Sequence, residues 1–245
     1  MHDFSRPSIP IELKAKINPY LIMKKLCIAI LFLCLTSPLF AQQGTPFNDF
    51  RLGLTAHPTF GWIKAENGKG NGLGLGFSYG LIGDFNFAEN YSFSTGLTVT
   101  TINGKSTEVN PAPYYDPAIG IPTAYDIKYR LQYIEIPLTV KLKTQKVGYV
   151  RWYGQFGLSN DFNIGAKQNV DQVGGSLHLK DQNAKDVINF YRAGLILGGG
   201  GEFDVAPNTS IMVGLTFNNG FTNISDTDNG TVKNHYLGLN FGVFF

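Results

Sequence analysis

The feature that most constrains this chain is an alternation of large apolar with small or polar residues at every second position, repeated segment after segment. Over 73–81, Leu73, Leu75, Phe77, Tyr79 and Leu81 alternate with Gly74, Gly76, Ser78 and Gly80. Over 132–142, Ile134, Ile136, Leu138, Val140 and Leu142 oppose Tyr133, Glu135, Pro137, Thr139 and Lys141. The same period recurs over 91–101, 150–158, 211–217 and 237–245. A period of two sends one set to each face of a β-strand. Beyond residue 41, no stretch keeps helical spacing for more than two turns. With further strands over about 50–62 and 188–205, eight strands are expected.

The glycines of 68–83 belong to this pattern. A dinucleotide-binding turn needs a strand, then G-x-G-x-x-G, then a helix. Here glycine repeats at the strand period and no helical pattern follows. Gly68 and Gly70 are assigned to a first outer loop, and Gly72 to Gly80 to the inner face of the second strand.

The connections set the topology. Those expected at 86–90, 144–147 and 206–208 are short, whereas those at 63–70, 104–124, 160–187 and 223–233 are mostly longer. That alternation predicts an up-and-down meander with tight turns at one end and loops at the other. A soluble eight-stranded barrel would turn its large apolar residues inward and carry charges along its outer face. In this chain the second face is Gly, Ser, Thr and Asn, and the charges gather in the presumed loops. The sequence therefore predicts an all-β, eight-stranded antiparallel transmembrane β-barrel of outer-membrane type, apolar outside and filled by side chains inside. Aromatic girdles are expected from Tyr91, Tyr149, Trp152, Phe203 and Phe245 at the periplasmic rim. Trp62, Tyr125, Tyr129, Tyr191, Phe221 and Tyr236 are expected at the outer rim.

The N-terminus reads as a leader. Met23-Lys24-Lys25 precedes an apolar run from Leu26 to Leu35, and a cut after Ala41 fits a secretory signal over 23–41. Residues 1–22 read as a start overcall, leaving 42–245 as the barrel domain. The leader holds five of the 20 Lys+Arg and two of the 18 Asp+Glu, which leaves 15 and 16. Bulk charge then offers no support for nucleic-acid binding. Both cysteines, Cys27 and Cys34, leave with the leader, so a closed fold rather than disulfides must supply stability.

The chain ends on an alternating strand closed by an aromatic residue. Tyr236, Leu239, Phe241, Val243 and Phe245 form the expected C-terminal signal for barrel assembly machinery. Together with the leader and the glycine-rich early strands, the segment Tyr133-Ile-Glu-Ile-Pro-Leu-Thr-Val-Lys-Leu-Lys143 resembles the Bacteroidetes outer-membrane β-barrel domain family, often labelled PorT-like. The resemblance covers about residues 48–245 and implies the fold and an outer-membrane location. It also implies, for one branch, an accessory role in type IX protein secretion.

Within the expected lumen, Arg51, His57, Glu135, Lys141 and Arg151 fall on inward positions and are expected to form a polar network, with Glu135 and Arg151 on adjacent strands. An unpaired buried charge is costly, so acids and bases there should pair. His57, near Thr55 and Thr59, reads as a hydrogen-bonded lumen residue rather than a general base. Asp226-Thr-Asp228-Asn-Gly230 lacks the downstream Glu of a calcium loop and reads as a polar turn. Neither catalytic residues nor a cofactor or metal is expected. The leading role is a structural or interaction barrel whose outer loops, with Tyr114 and Tyr115 as a contact edge, meet an envelope or secretion protein while outer-membrane lipid surrounds the wall. The alternatives are the secretion accessory and a lipid-modifying barrel enzyme.

Overall fold

The computed structural model describes residues 50–116, 118, 120–227 and 230–245. The leader read over 1–41 lies outside them. The described residues form nine strands: β1 (Phe50–Ala65), β2 (Gly68–Ala88), β3 (Tyr91–Val109), β4 (Ala124–Lys143), β5 (Val150–Gln172), β6 (His178–Asn183), β7 (Tyr191–Ala206), β8 (Thr209–Gly220) and β9 (Val232–Phe244). All pairings are antiparallel, and β1 closes on β9 through pairs running from Gly53↔Phe244 to Ala65↔Val232. The ring runs β1-β2-β3-β4-β5-β7-β8-β9 and back to β1, so it holds eight strands in an up-and-down meander. Closure leaves no open edge, which a wall in lipid requires. The ninth strand, β6, is a short hairpin partner of the outer end of β5 (Lys167↔Asn183, Asp171↔His178).

Several boundaries differ from expectation, all at the outer end. The loop expected over 63–70 is a turn at Glu66-Asn67, and Gly68 and Gly70 lie in β2. The loop expected over 104–124 shrinks to 110–123, because β3 runs to Val109 and β4 starts at Ala124. Much of 160–187 is strand, in β5 and β6.

Strand length explains the discrepancy. The 20 residues of β4 give about 65 Å of strand. At the usual tilt of about 40° that is roughly 50 Å along the axis, twice the roughly 25 Å apolar band of an outer-membrane barrel. The outer half must therefore stand in water, and the polarity of the wall inverts there. Facing out, β4 carries Ile134, Ile136, Leu138, Val140 and Leu142 on its inner half, but Asp126, Lys128, Arg130 and Gln132 on its outer half. Facing in, the order is reversed, with Glu135, Thr139, Lys141 and Lys143 below and Tyr125, Ile127, Tyr129, Leu131 and Tyr133 above. A strand with polar outward residues lacks the apolar band of its membrane half, which is why the outer halves resemble loops when read as sequence.

The larger cluster of buried apolar residues accordingly lies in the outer half, a smaller one of Tyr153, Met212 and Phe244 lying beside the charges below. Ile63, Ile102, Ile127, Leu131, Tyr133, Val170, Ile188 and Ile224 belong to one core. Tyr125, Tyr129 and Tyr236, expected in the outer girdle, are instead 3%, 5% and 2% exposed within it. In the membrane half, glycine lets strands approach closely. A Cβ on Gly76 would stand 2.1 Å from the Thr101 carbonyl oxygen, at a register shift between β2 and β3. The glycine run is thus where β2 bends onto its neighbour.

Candidate functional site

Inward parity places a layered set of polar side chains inside the ring. The lowest layer, toward the end with short turns, holds three cations and two anions. Arg51 on β1 donates to Asp84 Oδ2 on β2 at 2.9 Å and to Glu202 Oε2 on β7 at 3.0 Å. Lys141 Nζ, on β4, lies 2.9 Å from Asp84 Oδ2 and 3.5 Å from Glu202 Oε1. Lys143 Nζ reaches the same two carboxylates at 3.2 and 3.6 Å. Ser94 Oγ donates to Asp84 Oδ1 at 2.5 Å. The Phe244 ring lies beneath Arg51 and Lys141, 4.6 and 4.9 Å from its centroid. Sharing each carboxylate among several cations, with an aromatic face for the remainder, is how a desolvated cluster of this kind avoids an isolated charge.

A cavity of about 80 Å³, bordered by His57, Thr98, Glu135 and Gln155 and by the apolar Ile82 and Met212, separates this layer from the next. The second layer centres on Arg192 of β7, which is fully buried. Its guanidinium donates to Asp161, to Asn218 Oδ1 at 2.9 Å, and to the side chain and carbonyl of Asn234 at 2.5 and 3.0 Å. Glu135 sits opposite Asp161 in register, and both of its oxygens accept from Tyr236, at 2.8 and 2.9 Å. The apolar core of the outer half forms the third layer, directly above.

The expected network is only partly the one that forms. Arg51 and Lys141 meet on shared carboxylates. Glu135 and Arg151 do not meet: Glu135 pairs with Asp161, ten residues along β5 from Arg151. Arg151 instead lies half-exposed at the rim, opposite Glu202. His57 is buried, with Nδ1 3.5 Å from Thr55 Oγ1. Of the C-terminal residues, Leu239, Phe241, Val243 and Phe245 face outward, whereas Tyr236 faces in and holds Glu135. Five charged participants among the described residues lie outside the expected set: Asp84, Lys143, Asp161, Arg192 and Glu202. Lys143 carries the parity of Lys141 and is legible from it. Asp161 falls in a segment expected as loop, and the glycine-rich pattern of β7 does not fix the parity that turns Arg192 and Glu202 inward.

The outer loops are tied to the apolar core and to one another. Tyr114 packs against it, accepts from Gln168, and its carbonyl accepts from Tyr125 Oη at 3.1 Å. Tyr114 is thus a loop anchor, while Tyr115 is half-exposed. The β8–β9 loop is bound to the segment before β7 through Asn189 N–H to the Ile224 carbonyl at 2.8 Å and Asp226 N–H to the Val187 carbonyl at 2.9 Å. Glu66 exchanges two bonds with Thr231, both 2.9 Å, latching the β1–β2 turn to that loop. The Thr231 donors hold the Glu66 carboxyl below the usual range. Tyr129 donates to Glu108 at 2.8 Å. Among the described residues no group of three or more His, Cys, Asp or Glu is arranged to hold a metal.

A family model described as an outer membrane protein beta-barrel domain matches residues 40–226. Among solved structures, the chain is similar to Neisserial surface protein A, with 18% identity and a TM-score of 0.40, covering 79% of this chain and 95% of that one. A major outer membrane protein from Thermus thermophilus shows 15% identity and a TM-score of 0.43, with 79% and 98% covered. OprG from Pseudomonas aeruginosa shows 12% identity and a TM-score of 0.36, with 80% and 94% covered. No curated protein matches the chain.

Proposed function

The chain belongs to the outer membrane protein beta-barrel domain family, and on that premise we propose that it is a non-conducting outer-membrane barrel that acts as a structural or interaction protein through its outer tip. The observation that carries this reading is the filling of the lumen. An ion-paired layer, an Arg192-centred layer and an apolar core follow one another along the axis, with a cavity of about 80 Å³ between the first two. The loops are pinned to the core, so the tip presents a pre-organised surface, which lowers the ordering cost of binding a partner. Ile121 and Val173, 66% and 52% exposed, offer apolar contacts there.

The reading is of a protein without catalysis. The three histidines beyond the leader lie apart: His57 in the lumen, His178 on Asp171, and His235 against Trp62. A lipid-modifying enzyme would need a base and a nucleophile together where lipid arrives.

Planar-bilayer recording tests the proposal. The wild-type chain is expected to stay closed. Steady conductance by the wild type would sink the reading. The PorT-like resemblance of Tyr133–Lys143 supports a second role as an accessory of type IX protein secretion. Deleting the gene and assaying the secreted cargo tests it, and unaltered secretion would remove it.

A further inference from the structure

We propose that outward cationic pairs just above the apolar band form a collar that docks the phosphate groups of an anionic glycolipid in the outer leaflet. Three pairs of cations stand directly opposite each other on adjacent strands: Lys64↔Lys233, Lys105↔Lys128 and Arg130↔Lys167. Directly opposed residues have Cβ atoms about 5 Å apart, and like charges in that position destabilise the sheet. An anion seated between them converts that repulsion into attraction. Only Arg130 has an ion-pair partner among the described residues, Asp181 of β6.

Their height is the second observation. Lys64 lies two residues beyond Trp62, Arg130 four beyond Ile134, and Lys105 six beyond Val99, where Trp62, Ile134 and Val99 are outward residues of the apolar band. At about 3.3 Å per residue and a tilt near 40°, the collar spans roughly 5 to 15 Å above the band. That is the depth of a headgroup and its first sugars, and lysine stems reach further down by snorkelling.

Charge sign is stratified in the same direction. Acids come next, farther from the membrane: Glu66 in the turn just beyond Lys64, and the outward Asp126 two residues beyond Lys128 and Asp171 four beyond Lys167 along their strands. A surface shaped for solubility alone would intersperse the two signs. Cations bordering the band with acids held away from it match an anionic membrane surface. The pairs occupy two separate sectors of the wall, β9–β1 and β3–β4–β5, which one soluble ligand would not bridge but surrounding lipid contacts together. This inference rests on the membrane-barrel fold and is independent of the partner-binding role.

Native mass spectrometry of the refolded full chain in zwitterionic detergent tests it. The probes are diphosphoryl lipid A, the same glycolipid stripped of phosphate, and inositol hexakisphosphate as a soluble competitor. The diphosphoryl form is expected to be retained and the stripped form lost. Lys105→Gln/Lys128→Gln/Lys167→Gln and Lys64→Gln/Lys233→Gln should each weaken retention by about fivefold per lysine removed. Lys146→Gln, in the short turn between β4 and β5 at the opposite end of the barrel, should leave it unchanged. Equal retention of the stripped glycolipid, or wild-type retention by both collar variants, overturns the proposal. Displacement by hexakisphosphate at the lipid's own affinity also overturns it, in favour of a soluble polyanion site. Heat-modified gel mobility reports folding of each variant. If the glutamine variants fail to fold, the comparison of the two glycolipids on the wild type still decides.

Discussion

The Tyr236 hydroxyl donates to both carboxylate oxygens of Glu135, at 2.8 and 2.9 Å, across 101 positions of chain. Removing the hydroxyl leaves a buried carboxylate without its donor, which typically costs about 1–3 kcal/mol. Tyr236→Phe should therefore lower stability by that amount in urea unfolding from lipid vesicles. Adding Glu135→Gln to Tyr236→Phe should cost less than the two single changes summed. Strict additivity would show that the pair is not energetically coupled.

Asp84 is contacted by Arg51, Lys141 and Lys143 at once. Asp84→Asn would leave two buried lysines and the partly buried Arg51 facing Glu202 alone. A loss of about 3–5 kcal/mol is expected, as for other buried pairs broken from one side. Coupling it with Lys141→Met should recover part of the loss. A midpoint no lower than wild type for Asp84→Asn alone would show the cluster to be well solvated.

The apolar layer of the outer half should behave as a soluble core does. Leu131, fully buried there, should cost about 2–5 kcal/mol on change to Ala. Lys69→Ala, outward at the same end, should stay within about 0.5 kcal/mol. Equal effects from the two would contradict the inverted polarity of the wall.

The latch between Glu66 and Thr231 gives a pH dependence of definite sign. The Glu66 carboxyl is depressed in the folded state, so its contribution is present above its ordinary value of 4.5 and is lost as pH falls through the lower folded value. The protection of the Thr231 amide relative to its intrinsic exchange rate should hold at neutral pH and fall once the solution is acidified well below 4.5. Glu66→Gln should abolish that pH step while leaving the rest of the tip protected. A step that persists in the variant would assign it to another group.

Phe245 is 55% exposed and its N–H bonds the Leu52 carbonyl at 2.9 Å, a modest structural role. If it also serves as an assembly signal, Phe245→Ser should cut accumulation in the outer membrane of cells several-fold while leaving refolding in detergent intact. Matched losses in both assays would make the role purely structural.

How much of the molecule is legible without coordinates follows from the range of each signal. Side-chain alternation is local, since every second residue faces the same way. The antiparallel barrel, its outward set from Leu73 to Leu81 and from Ile134 to Leu142, and the inward placement of Arg51 and Lys141 can all be read from it. Tyr125, Tyr129 and Tyr236 cannot. As aromatics near strand ends they fit a girdle, and only the register of the ring, which brings them level with the buried apolar core of the outer half, shows that they stand where the inside is dry.

The sequence by itself determined the period, hence the strands and the two faces of each one. Tertiary structure decided which side chains meet. The register of eight strands around a closed ring sets the height of each inward residue, so Lys141 and Arg51 come level with Asp84 and Glu202, while Arg151 stays at the rim. No local pattern carries that register, because closure joins residues as far apart as Arg51 and Glu202. It also places polar groups inside where lipid is outside, and apolar groups inside where water is outside, since each layer buries what its surroundings reject.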